Sequence, residues 1–398
     1  MSTAPTILLL TPSTSTVLVD GVNNKIVGTV DTASLTVSST NVAIGNSAGL
    51  TTQGANAVAV GNNAGSATQG SESVAIGVYA GRTTQGAGAT ALGSFAGANS
   101  QGTGAVGIGY NAGYTGQGIY ATSIGPFAGR QGQGARAVSI GISAGYYDQA
   151  TYAVAVGGYS GYKGQGAHAT AVGYNAGHYG QSQNATAVGY KAGAGISIFK
   201  TYVSGGVGST TLVVNNTSGI VAGMELINSI AYKSGQTVVS VDSGTSLTIS
   251  AVADGTPSSG SSIQFSSGGQ GELATAIGGQ AGEQNQGNHA VAIGNGAGLS
   301  NQGERAIAIG YQAGKNNQAV NSIVINATSA VVENTTADSF VVKPVRNATM
   351  TTILGYDAGT GEVTHNAVIP GYISLADLKT EVAASADFAD YQTRIAAL

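Results

Sequence analysis

The sequence predicts an all-β fold, a parallel β-solenoid (β-roll) of 16-residue repeats, and three observations support this prediction. Glycine recurs every 16 residues from Gly45 to Gly189 without a slip. The same phase returns at Gly278, Gly294 and Gly310. The residues before these glycines alternate between bulky and small, which is the period of a strand. Gly accounts for 64 of the 398 residues and charged residues for only 8%, so we expect stacked coils rather than an ordinary mixed core.

The repeat unit also predicts which side chains are buried. Each copy reads Ala-Val-Ala-Ile-Gly, two variable residues, Ala-Gly, three variable residues and Gln-Gly. We expect the two bulky positions, Val58 and Val60 in one copy, to fill the interior of the coil. The small residue between them, Ala59, would then face outward, where a solvated strand normally carries polar groups. We therefore expect this second face to be buried against other subunits, in a homotrimer of three coils side by side.

Two further positions of the repeat have expected structural roles. The Ala-Gly pair, as in Ala48 and Gly49, marks a corner, because glycine tolerates positive φ and close backbone approach. The recurring glutamine, from Gln53 to Gln181, is expected to stack along the axis as an amide ladder. With a degraded last copy at Asn326 there are about fourteen turns, which would form a rod of about 65 Å at about 4.8 Å per turn.

The repeat divides the chain into six segments. Between Gly193 and Gln270 lie 76 residues where the repeat normally has three, and a solenoid accepts such an insertion in a surface loop. The predicted segments are 1–40, an attachment or capping segment; 41–193, the solenoid; 194–269, an inserted β-rich module; 270–326, the solenoid continued; 327–372, a C-terminal β-domain; and 373–398, a short C-terminal helix that could act as a trimerisation element.

Local patterns give the elements outside the repeat. Strand-like runs lie at residues 17–19 and 34–37 near the start of the chain. In the inserted module, a small β-barrel or sandwich, the predicted strands are Thr210–Val214, Thr237–Val241, Leu247–Ser250 and Ile263–Phe265. Asp242-Ser243-Gly244 predicts a hairpin turn between two of them. Near the C-terminus, residues 352–356 and 362–364 predict a second hairpin, and Ser374 is expected to cap the helix.

Composition and charge argue against several classes of partner. The net charge is −4 and there is no basic run, so we expect no nucleic-acid partner. With no Cys and four scattered His, we expect no metal site and no cofactor. The first residues lack a basic region, and their apolar run of four is too short for a signal peptide or a membrane span. We therefore expect neither membrane insertion nor standard secretion.

The repeats resemble those of a known family. Residues 56–65, Asn-Ala-Val-Ala-Val-Gly-Asn-Asn-Ala-Gly, and residues 290–298, Ala-Val-Ala-Ile-Gly-Asn-Gly-Ala-Gly, are similar to the head repeats of trimeric autotransporter adhesins. This resemblance covers residues 41–193 and 270–326 and implies parallel β-rolls assembled as trimers. The chain departs from that family because neither a secretion signal nor a membrane-anchoring barrel segment is visible in it.

A second resemblance concerns the ends and the insertion. Similar repeats, together with insertions like residues 209–265 and endings like residues 338–346 and 353–357, look like those of the fibre proteins of bacteriophages and of large DNA viruses of algae and protists. This resemblance implies a trimeric fibre or spike on the virion surface, in contact with other virion proteins and with a host-surface glycan or receptor. The alternative is a bacterial surface adhesin or structural filament at the cell surface.

Tyrosines are the candidate binding residues. Twelve of the 18 tyrosines lie between residues 79 and 190, mostly at variable corner positions. An exposed stripe of tyrosines suits sugar faces, since each ring is an apolar plate with a hydroxyl. The alternative is that the rings cover neighbouring turns or intersubunit seams. The predicted carbohydrate-binding residues are Tyr110, Tyr114, Tyr146, Tyr147, Tyr162, Tyr174 and Tyr179.

An enzymatic alternative depends on one pair of carboxylates. Glu272 and Glu304 occupy the same repeat position two turns apart, so they should lie about 10 Å apart. A polysaccharide-cleaving tailspike needs two carboxylates at about this separation. Two solvated loop charges explain the pair more simply, and we predict no enzyme. The expected function is a structural fibre or spike subunit that mediates attachment to host carbohydrate.

Overall fold

The computed structural model confirms an all-β parallel solenoid and forms two units, Met1–Lys343 and Pro344–Leu398. The first unit contains the solenoid and the inserted module. The residues described are 18–20, 25–27, 41–195, 197–205, 210–218, 220, 224–227, 237–250, 262–266, 269–345, 353–357, 362–366, 375–384, 387, 389–390 and 392–393.

A single parallel sheet of fifteen short strands, the long sheet, runs through the solenoid. Each strand pairs with the strand one repeat later, so that Val58 lies opposite Val74 and Ala59 opposite Ala75. The strands in sheet order are Val42–Ile44, Val58–Val60, Val74–Ile76, Thr90–Leu92, Val106–Ile108, Thr122–Ile124, Val138–Ile140, Val154–Val156, Thr170–Val172, Thr186–Val188, Thr275–Ile277, Val291–Ile293, Ile307–Gly310, Ile323–Asn326 and Phe340–Lys343.

The other side of each coil forms the second sheet, which ends at the repeated glutamine. It is narrower, and in its middle the pairing is reduced to single parallel bridges that join Thr115, Gln131, Tyr147, Lys163 and Tyr179. Its strands are Thr52–Gln53, Thr68–Gln69, Thr84–Gln85, Asn99–Gln101 and Thr115–Gln117, followed after the insertion by Gln284–Gln286 and Ser300–Gln302. Each turn is therefore a flattened coil with two sheets and two corners.

The predicted orientation of the long-sheet strands is wrong. Ala59 is fully buried inside the coil, whereas Val58 and Val60 on either side of it point outward and are half-buried. The coil interior also contains Ala57, fully buried, and the side chain of Gln69, only 1% exposed. Because these groups already fill the narrow space between the two sheets, two bulky side chains per turn have no room there. The small residues therefore form the core, and the β-branched residues face outward.

The predicted amide ladder is confirmed, and it lies in the coil interior. The Nε2 group of Gln149 donates to Oε1 of Gln165 at 3.0 Å, and that of Gln165 donates to Oε1 of Gln181 at 3.0 Å. Each amide also donates to a backbone carbonyl of the long sheet, as Gln149 does to Val138 at 2.9 Å. Buried amides need such partners, so the ladder ties the two sheets of each turn to one another and to the next turn.

Glycine is required at the corners of the coil. Gly65, in the Ala-Gly pair, has a φ of +52°, as predicted for that corner. Gly61, which ends the long-sheet strand, has a φ of +128°, and a Cβ atom there would lie only 2.6 Å from the carbonyl oxygen of Gly77 in the next turn. A side chain at this position is excluded both by the backbone conformation and by the spacing of the stacked turns.

The inserted module leaves the solenoid register intact, as predicted. Thr186–Val188 pairs directly with Thr275–Ile277, and Gln181 donates to Oε1 of Gln270 across the insertion at 3.0 Å. The module is antiparallel, and its strands are Ser197–Gly205, Thr211–Val214, Glu225–Ile227, Val238–Val241, Ser246–Ile249 and Ser262–Ser266. The hairpin predicted at residues 242–244 joins two of them.

The solenoid extends one turn beyond its predicted end at residue 326. The strand Phe340–Lys343 pairs in parallel with Ile323–Asn326, so part of the segment predicted as a separate β-domain continues the long sheet. In the second unit the predicted hairpin is confirmed as Ile353–Asp357 and Glu362–Asn366, and a helix spans Leu375–Ala384. Its predicted cap, Ser374, lies outside the described residues.

At the other end of the chain a short antiparallel hairpin pairs Leu18–Asp20 with Lys25–Val27. Its first strand overlaps the run predicted at residues 17–19. The run predicted at residues 34–37 lies outside the described residues.

Candidate functional site

The predicted tyrosines belong to one continuous network of rings, which we call the aromatic corner. It surrounds the Ala-Gly corner over eight successive turns, from Tyr79 to Tyr190. Neighbouring ring centroids are 4.2 to 6.5 Å apart. All seven predicted tyrosines are in it. Its members are Tyr79, Phe95, Tyr110, Tyr114, Phe127, Tyr146, Tyr147, Tyr159, Tyr162, Tyr174, His178, Tyr179 and Tyr190.

The centre of the aromatic corner is a stack of planar groups from five consecutive turns, which we call the stacked column. It contains Tyr114, Arg130, Tyr146, Tyr162 and His178, and these occupy the same position of the repeat, directly after the corner glycine. The guanidinium carbon of Arg130 lies 5.5 Å from the ring centroid of Tyr114 and 5.2 Å from that of Tyr146. Tyr162 stacks on Tyr146 at 5.1 Å and on His178 at 4.9 Å.

The stack changes what these tyrosines present to solvent. Within the stacked column the ring faces cover one another, and Tyr146 and Tyr162 are half-buried. Tyr110 and Tyr174 lie outside the stacked column, directly after the glycine that ends the long-sheet strand. They are about half exposed, at 49% and 50%. The interpretation of the stripe as a row of free apolar plates therefore applies to the outer tyrosines and not to the central ones.

Two members of the aromatic corner lie on the second sheet, away from the outward face of the long sheet. Tyr147 and Tyr179 lie on the second sheet, where each bridges to Lys163 in the turn between them. The second sheet is on the opposite side of the coil interior from the outward-facing residues of the long sheet. A contact made by the long sheet would leave these two tyrosines accessible.

Burial shifts the ionisation of three groups in the stacked column. Burial, together with the neighbouring tyrosines, raises the pKa of Tyr162 to about 12. Burial also raises the pKa of Tyr146, and Arg130 partly offsets this effect. Burial lowers the pKa of His178, and its hydrogen bond to the carbonyl oxygen of Tyr159, 3.0 Å from Nδ1, opposes that shift. Near neutral pH Tyr146 and Tyr162 are therefore protonated and His178 is neutral.

Sequence reasoning missed several members of this surface. Phe95, Phe127 and His178 extend the ring network, and Arg130 is central to the stacked column. A signal was present, because Arg130 occupies the same repeat position as Tyr114 and differs from it only in residue type. Reading each repeat position as a column, rather than counting one residue type, would have found it.

The pair of carboxylates considered for catalysis is simply exposed. Glu272 and Glu304 are both on the surface, and Oε1 of Glu304 lies 3.3 Å from a guanidinium nitrogen of Arg305. Within the described part of the chain, no group of three or more His, Cys, Asp or Glu side chains is placed to hold a metal ion. A pocket of about 230 Å³ lies beside the insertion and is lined by Gly180, Ser182 and Gln270 among others. Its lining offers amide and hydroxyl groups without a nucleophile–base pair.

Comparisons of the chain with models of protein families, with curated proteins and with solved structures found no match. Among the helical residues that the structure describes, no helix has the length and apolar character needed to cross a membrane. The fold and the surfaces of the solenoid are therefore the basis for assigning a function.

Proposed function

We propose that the chain is a structural fibre or spike subunit of a virus particle, that it assembles as a homotrimer, and that it attaches to carbohydrate on a host surface. The observation that carries this proposal is the apolar face, which we define as the two outward-facing residues of every long-sheet strand. The virion setting is supported by the resemblance of the repeats and of residues 338–346 to viral fibres.

The apolar face has the composition of an interface. Its thirty positions are occupied by Val, Ile, Leu, Thr and one Phe, and none is charged. Along one edge of it the side chains of Ile76, Ile140, Ile293 and Ile309 are 36% to 38% exposed. Soluble proteins rarely leave an apolar patch of this length in water, and such patches mark sites of protein contact. The apolar face therefore needs a partner.

A second and a third copy of the chain are the partners that fit best. The apolar face repeats with the spacing of the turns, so a parallel copy matches it strand for strand along the whole solenoid. Parallel rods that use the same face close about an axis along their length, which gives a cyclic oligomer. Three copies agree with the trimer predicted from the repeat. The interface proposed now consists of Val and Ile, and no longer of the Ala residues.

Attachment is assigned to the aromatic corner. In a trimer packed through the apolar face, the second sheet of each copy would remain outside, and Tyr147 and Tyr179 would remain accessible there. Aromatic rings with hydroxyl groups suit carbohydrate, since they combine apolar contact with hydrogen bonding. Repetition along the axis would let several sugar units of one glycan bind together.

The experiment is a measurement of mass in solution by light scattering. The full-length protein is expected to have three times the chain mass of 38.9 kDa. Replacing two outward residues, Ile140→Lys together with Ile293→Lys, should reduce the mass to that of a monomer, because a buried unpaired charge is costly. Ile119→Lys is the matched control, since Ile119 is 50% exposed at a turn outside the apolar face.

Circular dichroism shows whether each variant keeps its β-structure. A folded monomeric wild-type protein would refute the trimer. A double variant that stays trimeric would refute the apolar face as the interface, even if the wild-type protein is a trimer.

A further inference from the structure

The aromatic corner lies in a basic stretch of an otherwise acidic chain. Residues 79–190 contain four basic residues, Arg82, Arg130, Arg136 and Lys163, and one acidic residue, Asp148, for a formal charge of +3. The rest of the chain contains ten basic and seventeen acidic residues, for a formal charge of −7. A local excess of one sign raises the concentration of ligands of the opposite sign near the surface. The charge pattern therefore points to a negatively charged ligand.

Three of the four basic residues of this stretch are held among the rings of the aromatic corner, and the fourth, Arg136, lies at the opposite corner of the coil. Arg130 lies between Tyr114 and Tyr146 in the stacked column. Arg82 lies over the ring of Tyr79, with its guanidinium carbon 5.6 Å from the centroid. Lys163 bridges in the second sheet between Tyr147 and Tyr179. The positive charge is thus placed at the sites where rings and hydroxyl groups would contact a sugar.

Arg130 is the residue best placed to bind an acidic group. Among the described residues no carboxylate pairs with it. Its Nε–H is shielded from solvent and has no acceptor there, and a hydrogen bond to Tyr146 uses part of the guanidinium group. Stacking between two rings holds a guanidinium group in place while its remaining N–H groups can donate to a ligand. A carboxylate is the matching acceptor, and charged hydrogen bonds of this kind are among the stronger polar contacts.

We infer that the aromatic corner recognises glycans that carry carboxylates, with Arg130 binding the acid group and the neighbouring tyrosine hydroxyl groups binding the sugar. This inference rests on the proposed attachment to carbohydrate and specifies the class of glycan. Uronic and sialic acids are the sugars with this chemistry.

The same chain offers an internal comparison at the opposite corner of the coil. There Tyr120, Arg136, Tyr152 and His168 follow one another in consecutive turns, and the Nη1 group of Arg136 donates to the hydroxyl oxygen of Tyr152 at 2.8 Å. This second stack contains three rings, whereas the aromatic corner contains thirteen. We therefore assign glycan recognition to the aromatic corner.

The test uses a panel of immobilised glycans that contains uronate and sialate oligosaccharides, the same oligosaccharides with each carboxylate reduced to an alcohol, and neutral oligosaccharides. The full-length protein is expected to bind acidic members and to lose about tenfold or more in affinity when the carboxylate is reduced. Added salt should weaken binding to the acidic members. Equal binding to acidic and reduced forms would overturn this inference while leaving attachment to carbohydrate in place. Binding to no member would overturn both.

Three matched variants locate the site. Arg130→Gln should reduce affinity for acidic glycans about tenfold or more and leave the mass in solution unchanged. Arg305→Gln should have no effect, since Arg305 occupies the same repeat position as Arg136 but lies outside the basic stretch. If Arg136→Gln abolishes binding while Arg130→Gln does not, the assignment to the aromatic corner is wrong.

Discussion

The amide ladder can be tested at one glutamine in the middle of the solenoid. Gln149 is 1% exposed, and its Nε2 group donates to the carbonyl of Val138 at 2.9 Å and to Gln165 at 3.0 Å. Its Oε1 atom accepts from Gln133 at 3.1 Å and from the hydroxyl group of Ser139 at 2.7 Å. Gln149→Ala removes these bonds at once and leaves buried partners in two neighbouring turns without them.

The expected cost follows from the number of groups left unpaired. A buried polar group without a partner costs about 1–3 kcal/mol, and the carbonyl of Val138 and the amide oxygen of Gln165 each lose a donor. With the bonds to the other two partners and the lost side-chain contacts, we expect Gln149→Ala to destabilise the protein by about 3–6 kcal/mol. This is a large part of the stability of a typical domain, which is about 5–15 kcal/mol.

The assay is unfolding in guanidinium chloride, followed by far-ultraviolet circular dichroism on preparations of equal mass in solution. Gln131→Ala is the control, because Gln131 is exposed on the second sheet of the preceding turn and its loss should change stability by at most about 0.5 kcal/mol. If Gln149→Ala costs no more than Gln131→Ala, the ladder does not stabilise the solenoid.

A third variant separates hydrogen bonding from packing. Gln149→Glu keeps the shape of the side chain, and a protonated carboxyl group can still donate one hydrogen bond. Burial favours the neutral form of this carboxyl, so the variant should lose stability as pH rises and the group ionises. A stability independent of pH would mean that the side chain at this position is not buried as described.

Three other predictions concern the coil and the aromatic corner. Ala171→Val should cost about 1–3 kcal/mol because Ala171 is fully buried in the coil, whereas Thr170→Val on the outward face should be nearly neutral in thermal unfolding. Gly173→Ala should cost more than about 1 kcal/mol, since Gly173 has a φ of +129° and its Cβ would lie 2.6 Å from the oxygen of Gly189. Burial lowers the pKa of His178 below its usual 6.5, so its contribution to stability should be lost as pH falls from 6.5 through the folded-state pKa.

Each of these predictions has its own control. Tolerance of Ala171→Val in thermal unfolding would mean that the coil is wider than described. Gly164→Asn should be tolerated, since Gly164 has a φ of +68° with no atom within 4 Å of its Cβ position and Asn adopts this conformation more easily than most residues. His178→Gln should flatten the dependence of melting temperature on pH below neutrality. A dependence equal to that of the wild-type protein would contradict the burial of His178.

Most of the fold could be predicted because the repeat is regular. The period, the strands, the glutamine ladder and the uninterrupted register across the insertion all depend on contacts between neighbouring turns, which the 16-residue spacing makes visible. The last turn was missed because its spacing departs from this period. Ile323 pairs with Phe340, an offset of 17 residues, so one added residue takes the last strand out of the 16-residue pattern.

The direction of the strands could not be read from alternation alone. A pattern of period two separates Val58 and Val60 from Ala59, but it does not show which set lies inside. That choice depends on the width of the coil, whose interior in this turn is already filled by the side chains of Ala57 and Gln69. The aromatic corner was predicted only in part. The search considered tyrosines alone, so it did not find Arg130, which occupies the same repeat position as three of them.

The local register of the long sheet has a consequence for how this molecule can change. Each strand takes its position only from the strand before it, so a gain or loss of one complete repeat shifts everything beyond it by about 4.8 Å along the axis and leaves each column in line. A surface made of one residue per turn then gains or loses one row. Duplication of repeats could therefore alter both reach and valency toward a repetitive ligand, without any change in the fold.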